Sequence, residues 1–315
     1  MFTSSREVPL EVVEEITSYL RLEPSNYCIS DKNDLRACSL VSKTWCAASR
    51  PQLFQEVAYT FGTRAKDSRT TKLSDFIAFL QEHVHISLWL RELRLTQRLE
   101  VERPDEHYDA HIGLFNELLL HIPNLRRLRL IDIPIVPLPE PHPPLAHSIP
   151  LDELHINYTD KFRYDPKTRG ELHLDLPAVL RMFHSTRKLF LTCVPWDSVI
   201  DPSTSNGDTS TVPLHFPELG ICGPDREVER FHSILPQLID LSSIIVLTFV
   251  SDTWTQHAPL LRQFNPYLEE LYLPPVNWWD WMGTFLISRR YHRSTYLIAF
   301  QHTTEQTVSS PASAN

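Results

Sequence analysis

Glycine is scarce in this 315-residue chain, which has seven: Gly62, Gly113, Gly170, Gly207, Gly220, Gly223 and Gly283. No set of them spells GxGxxG, GxxxxGK or GxSxG, the loops in which backbone must approach a phosphate or carry a strained nucleophile. Dinucleotide-binding, P-loop and serine-hydrolase readings are thereby excluded. The five cysteines (Cys28, Cys38, Cys46, Cys193, Cys222) are odd in number and form no CxxC pair. Neither a disulfide framework nor a zinc site is expected, and a reducing compartment, cytoplasmic or nuclear, fits best. Long apolar runs are missing too. The longest, around 244–250, falls far short of the ~20 residues that span a bilayer. The first residues contain no apolar segment leading to a cleavage site, so no secretory signal is expected.

Positive charge is in deficit. Thirty Lys and Arg face 39 Asp and Glu, and the net charge of −9 makes the chain as a whole a poor match for nucleic acid or a membrane surface. Fifteen histidines are present, yet His83 and His85, or His142 and His147, stand in no metal-binding context. No catalytic residue, metal or cofactor is expected. What the chain does have is an ordinary globular share of hydrophobic residues, 42%, and 25 prolines.

The first sixty residues read as three short helices. Pro9 suits a first turn, Glu11 adds favourable negative charge there, and Val12, Val13, Ile16, Tyr19 and Leu20 follow at helical spacing. After a polar stretch, 21–33, a second helix carries Leu35, Cys38 and Val41, with Asp34 as its expected cap. Ser42 should cap a third that presents Trp45 and Ala48 and ends at Pro51; Leu53, Phe54 and Val57 come next. A piece this small cannot bury so much apolar surface by itself, so the surplus must dock elsewhere.

The segment VPLEVVEEITSYL…DLRACSLVSKTWCAASRPQLF resembles the F-box, the module that binds the Skp-type adaptor of cullin–RING ubiquitin ligases. The resemblance covers residues 6–57. It implies that Pro9, Leu10, Glu11, Ile16, Leu20, Leu35, Cys38, Val41, Ser42, Trp45, Leu53 and Phe54 contact the adaptor, and through it a cullin. Val8-Pro9 replaces the usual Leu-Pro, and the link from Leu20 to Leu35 is longer than most F-boxes carry. The alternative is a small helical cap covering the end of the following domain.

Beyond residue 57 a hexad, Leu-x-x-Leu-x-Leu/Ile, recurs at Leu90/Leu93/Leu95, Leu125/Leu128/Leu130, Leu151/Leu154/Ile156 and Leu268/Leu271/Leu273. Looser versions fill the gaps: Thr186/Leu189/Leu191, Phe216/Leu219/Ile221 and Ile244/Leu247/Phe249. Between central positions the steps are 35, 26, 35, 30, 28 and 24 residues, against roughly 20–29 in leucine-rich repeats. The long steps hold a charged insertion at 96–111, a proline-rich stretch at 131–150 and a Ser/Thr-rich loop at 201–213. Helical spacing precedes several hexads, at 73–85, 112–121, 176–184, 228–241 and 257–264. Helix, turn and short strand in repetition imply parallel strands joined by crossovers. The pattern resembles the degenerate leucine-rich-repeat region that follows the F-box in many fungal proteins. The expected fold is α/β: a three-helix F-box over 1–57, an irregular leucine-rich-repeat-like solenoid with a parallel sheet over 58–302, and a disordered tail over 303–315. An α/β domain with a sheet that is not a solenoid is the alternative.

If the hexads are strands, their apolar positions point inward and the residues between them outward. The middle outward row reads Arg94, Arg129, His155, Phe190, Gly220, Thr248 and Tyr272, and of these Arg94, Arg129, His155, Phe190, Thr248 and Tyr272 are the expected target-binding residues. The row before it, Glu92, Arg127, Glu153, Lys188, Glu218, Val246 and Glu270, alternates in sign and is expected to neutralise itself across strands. Trp278, Trp279 and Trp281 should close the far end of the core, and 296–300 could add a last strand.

Together these readings describe a substrate receptor of an SCF-type ubiquitin ligase. Such a protein is not an enzyme; it would hold an adaptor at one end and an unknown target protein along the repeats. A non-catalytic interaction scaffold with a helical N-terminal cap is the alternative.

Overall fold

The computed structural model describes residues 8–20, 32–63, 70–98, 112–135, 150–159, 174–183, 185–201, 213–223, 227–251, 254–264 and 268–272. The tryptophan cluster at 278–281, the strand expected at 296–300 and the tail at 303–315 lie outside them.

The chain is α/β. It starts with α1 (Leu10–Tyr19), α2 (Asn33–Ser39) and α3 (Lys43–Phe54), and α3 packs against both of the others. Pro9 precedes α1 as its cap residue, with Glu11 in the first turn. The Ser42 hydroxyl caps α3 by accepting from the Trp45 amide at 3.4 Å. Two expectations need correction. Asp34 lies inside α2, whose cap position is Lys32. Pro51 does not end α3, which runs on to Phe54; proline's fixed φ is helical, so the helix loses one hydrogen bond but not its path.

A single residue, Gln55, separates α3 from β1 (Glu56–Thr63). The Lys32 ammonium spans this junction, donating to the Leu53 carbonyl at 2.7 Å and also to the Glu56 carbonyl. A short β2 (Thr70–Thr71) pairs antiparallel with β1. Then follow β3 (Glu92–Arg98), β4 (Arg127–Ile131), β5 (Glu153–Asn157), β6 (Lys188–Thr192), β7 (Glu218–Cys222), β8 (Val246–Val250) and β9 (Glu270–Tyr272). β1 and β3–β9 form one parallel sheet in chain order, each strand beside its predecessor. All seven hexads have their central residue in a strand, the three loose ones included; Leu273 of the last hexad lies outside the described residues. β1 is not among the expected strands: its first two residues fall in the expected helical segment, 1–57, and the rest at the start of the repeat-like region, where no element is expected. Yet Phe54, Val57 and Tyr59 have hexad spacing, and Val57 pairs with Leu93 as Tyr59 pairs with Leu95. The sheet therefore begins at Glu56.

Between strands lie α4 (Leu73–Glu82), α5 (Val84–Trp89), α6 (Ile112–His121), α7 (Leu176–Met182), α8 (Val228–Leu238) and α9 (Ala258–Leu261). The single helix expected over 73–85 is two, broken at His83, where ψ is +60°. The helix expected at 257–264 is a 3-10 turn, Trp254–His257, followed by the short α9. The inward residues of the strands (Leu93 and Leu95 on β3, Leu128 and Leu130 on β4, and so on to Leu247 and Phe249 on β8) form one continuous core with Phe76 and Leu80 of α4, Phe115 and Leu118 of α6, Leu180 of α7 and Phe231 and Leu235 of α8. The outward residues of β3, β5 and β6 alternate with them as half-buried positions. Among the described residues, the helices cover one face of the sheet and leave the other open.

Each fully buried aliphatic side chain contributes roughly 1.5–3 kcal/mol by burial alone. Leu128→Ala, at the centre of the sheet, should therefore lower unfolding free energy by about 2–5 kcal/mol once the residual cavity is included, as measured by urea denaturation. Arg129→Ala next to it should cost well under half as much.

Candidate functional site

Among the described residues two surfaces remain uncovered. The first is on the helical trio. The apolar side chains buried there are Val13, Leu35 and Ala48; Thr17 and Ser49 are buried with them, their hydroxyls bonded back to the Glu14 and Trp45 carbonyls. Left at the surface are Val8, Leu10, Val12, Ile16 (40% exposed), Tyr19, Leu20 (37%), Leu40 (85%) and Val41 (66%). The trio therefore shows more large apolar side chains to solvent than it hides. Of the residues expected to contact an adaptor, Pro9, Leu10, Glu11, Ile16, Leu20, Val41 and Ser42 are exposed, and Cys38 and Trp45 are half-buried. Leu35 is a correction: at 2% exposed it is a packing residue behind the surface, because it sits where α2 meets α3. Leu53 and Phe54 are half-buried at the far end of α3, and Phe54 packs against the sheet's core and stacks on Trp89 at 6.4 Å. Leu40, the most exposed of the set, was not among the expected contacts, although the sequence places it beside Val41.

The second surface is the open face of the sheet. The register brings the whole middle row into line: Ala58, Arg94, Arg129, His155, Phe190, Gly220, Thr248 and Tyr272 are successive pairing partners. At its centre the His155 and Phe190 rings stack, centroids 4.3 Å apart and 20° from parallel. Phe190 in turn lies over Gly220, where a Cβ would sit only 2.2 Å from its Cδ1. Glycine here is what leaves room for the ring.

The neighbouring row is a ladder of opposite charges. Arg127 meets Glu92 at 2.9 Å and Glu153 at 3.9 Å, and Lys188 meets Glu218 at 2.6 Å. Arg129 reaches across from the middle row to Glu153 at 3.8 Å, and the His155 Nε2 is hydrogen-bonded to the same carboxylate. This matches the expectation of a self-neutralising row that sets strand register, each exposed pair being worth ~0–1 kcal/mol.

Burial pushes the His155 imidazole below its ordinary pKa, with Arg129 and Arg127 adding to the effect; the bond to Glu153 opposes it without prevailing. Burial alone would raise the Glu153 carboxyl. The His155 hydrogen bond and charge, with Arg129 and Arg127, outweigh burial and hold it below the usual carboxylate range.

No helix among the described residues is long and apolar enough to cross a membrane, and no group of three or more His, Cys, Asp or Glu among them could hold a metal. Comparison with models of known protein families and with curated protein sequences gave no match.

Two outcomes follow for the open face. Gly220→Val should displace the Phe190 ring and destabilise the chain by about 1–3 kcal/mol through overpacking; loss of the ring-current shifts between His155 and Phe190 in NMR would show it. Because the His155 pKa is lower in the folded chain than its unfolded value of roughly 6.5, its contribution to stability is complete above that pH. It is lost as pH falls toward the folded value, since the unfolded chain then binds the proton first. His155→Gln should flatten the part of the unfolding-midpoint profile that falls with acid in this window.

Proposed function

We propose that the chain is the substrate-recognition subunit of an SCF-type ubiquitin ligase. In this reading α1–α3 act as an F-box that docks on a Skp-type adaptor. The strand array is an irregular leucine-rich-repeat-like region whose open face holds a target protein. The observation that carries the reading is the surplus of apolar surface on α1–α3. Leu10, Ile16, Leu20, Leu40 and Val41 remain at the surface of a trio that buries only a small core of its own. Exposed apolar area beyond what a monomer tolerates marks a protein contact. The motif order, Val8-Pro9-Leu10-Glu11 through Leu40-Val41-Ser42-Lys43 and Trp45, supports an adaptor helix pair as that contact.

On this reading the chain makes and breaks no bond. It holds a target beside a charged conjugating enzyme and so raises the effective concentration of the acceptor lysine.

Co-expression of the full chain with a Skp-type adaptor should give a complex that survives gel filtration. Ile16→Glu with Val41→Glu should weaken that complex by about tenfold or more, as expected for a charge placed in an apolar interface. The unfolding midpoint should stay near that of the unmodified chain, because both side chains lie at the surface. Equal capture of both forms would overturn the reading. The direct run of α3 into β1 also suits the second reading, an end cap on a non-catalytic scaffold. That reading predicts no adaptor capture by the unmodified chain at all.

A further inference from the structure

One joint in the fold is made by two imidazoles. His232 lies half-buried on α8, and His257 ends the 3-10 turn that leads into α9 and then β9. The His257 ring is fully buried, steeply inclined to Phe231 of α8 and Phe249 of β8, with centroids 5.6 and 5.0 Å away. Its Nδ1 lies 3.0 Å from the His232 Nε2, a hydrogen bond from ring to ring. Leu260 and Phe264 add apolar contacts to the same core, and these are indifferent to acid. The last unit of the sheet is thus set into the core beside one histidine and tied to the preceding helix by another.

A bond between two imidazoles needs a lone pair on one of the facing nitrogens. With both rings neutral, one donates and the other accepts. One added proton is tolerated, because a protonated His232 can donate to a neutral His257. A second leaves N–H facing N–H and puts a desolvated cation in an apolar site. Burial pushes the His232 imidazole below its ordinary pKa. Among the described residues, the charged groups on the elements packed here are Glu229 and Arg230 on α8, Glu227 just before it, Asp197 on the turn Trp196–Ser198, and Arg262 after α9. Burial, not these groups, sets the direction. An opened segment therefore takes up protons that the closed one resists. The contribution of the pair to closure is complete above the ordinary histidine pKa of roughly 6.5 and is lost as pH falls below it. We propose that the His232–His257 pair is an acid-released latch, which on acidification lets the 3-10 turn, α9 and β9 open while the earlier strands stay folded. The latch does not depend on the ligase reading. On that reading it would set the extent of the target surface, because Tyr272 of β9 ends the middle row.

The test is amide hydrogen exchange on the full chain at about pH 7 and about pH 5.5, corrected for the intrinsic effect of pH on exchange. Protection at 256–264 and 268–272, taken relative to α4, should fall about tenfold or more in acid, a decade per pH unit for each proton bound on opening. His257→Phe refills the site with a ring that does not titrate, and should hold relative protection there within about twofold over the same range. His232→Gln changes a half-buried position and leaves the core intact. Its amide can donate to a neutral His257 and accept from a protonated one, so the fall should shrink to about threefold or less. A fall of equal size in α4, no fall in the unmodified chain, or an undiminished fall in His257→Phe would overturn the proposal. If His257→Phe does not fold, His232→Gln decides, and an undiminished fall there overturns it as well.

Discussion

Seven parallel pairings join strands at equivalent residues, from Val57 with Leu93 to Leu247 with Leu271, and no step slips by a residue. Side chains alternate between faces along a strand, so a slip of one would send every leucine outward and every arginine into the core. Registry converts a loose sequence period into rows. The inward rows make a continuous core with the helices. The outward rows bring residues as far apart in the chain as Arg94 and Tyr272 into one line. The charge ladder on Glu92, Arg127, Glu153, Lys188 and Glu218 favours the same alignment, though its pairs are weak singly; the buried leucines supply most of the energy.

The helical trio shows the complementary situation. α3 packs on both α1 and α2, and the apolar side chains buried there, among the described residues, are Val13, Leu35 and Ala48. Its attachment to the sheet comes from Phe54 and Trp89 and from the Lys32 bonds, not from its exposed side. One end of the trio belongs to the sheet, while a second face, among the described residues, keeps its apolar side chains at the surface.

Much of this was legible in the sequence, because it depends on local periodicity. Leucine at hexad spacing located seven strands, including three in which Thr186, Phe216 or Ile244 replaces the leading leucine. The rows followed from alternation alone. What stayed hidden depends on context. β1 was concealed because Phe54 and Val57 also close the helical motif, and one short apolar run can serve a helix end or a strand. Pro51 looked like a stop because proline removes a donor, yet its φ suits a helix that is already under way. The break at His83 has no proline or glycine to announce it. Burial of Leu35, against exposure of Leu40 and Val41, follows from how α2 lies on α3, which periodicity over a seven-residue helix does not resolve. The stack of Phe190 on Gly220 needed the register before those two residues could be recognised as neighbours.

The junction of α3 with β1 has a mechanical consequence. One residue lies between helix and strand, and a lysine side chain clamps the carbonyls on both sides of it. Such a joint behaves as a weld, not a hinge. On the proposed function, a partner seated on the helices would be presented to a target on the sheet at one angle and one distance. The zone that a second, catalytic body could reach would then be set by this elbow, independently of how tightly either passenger is gripped.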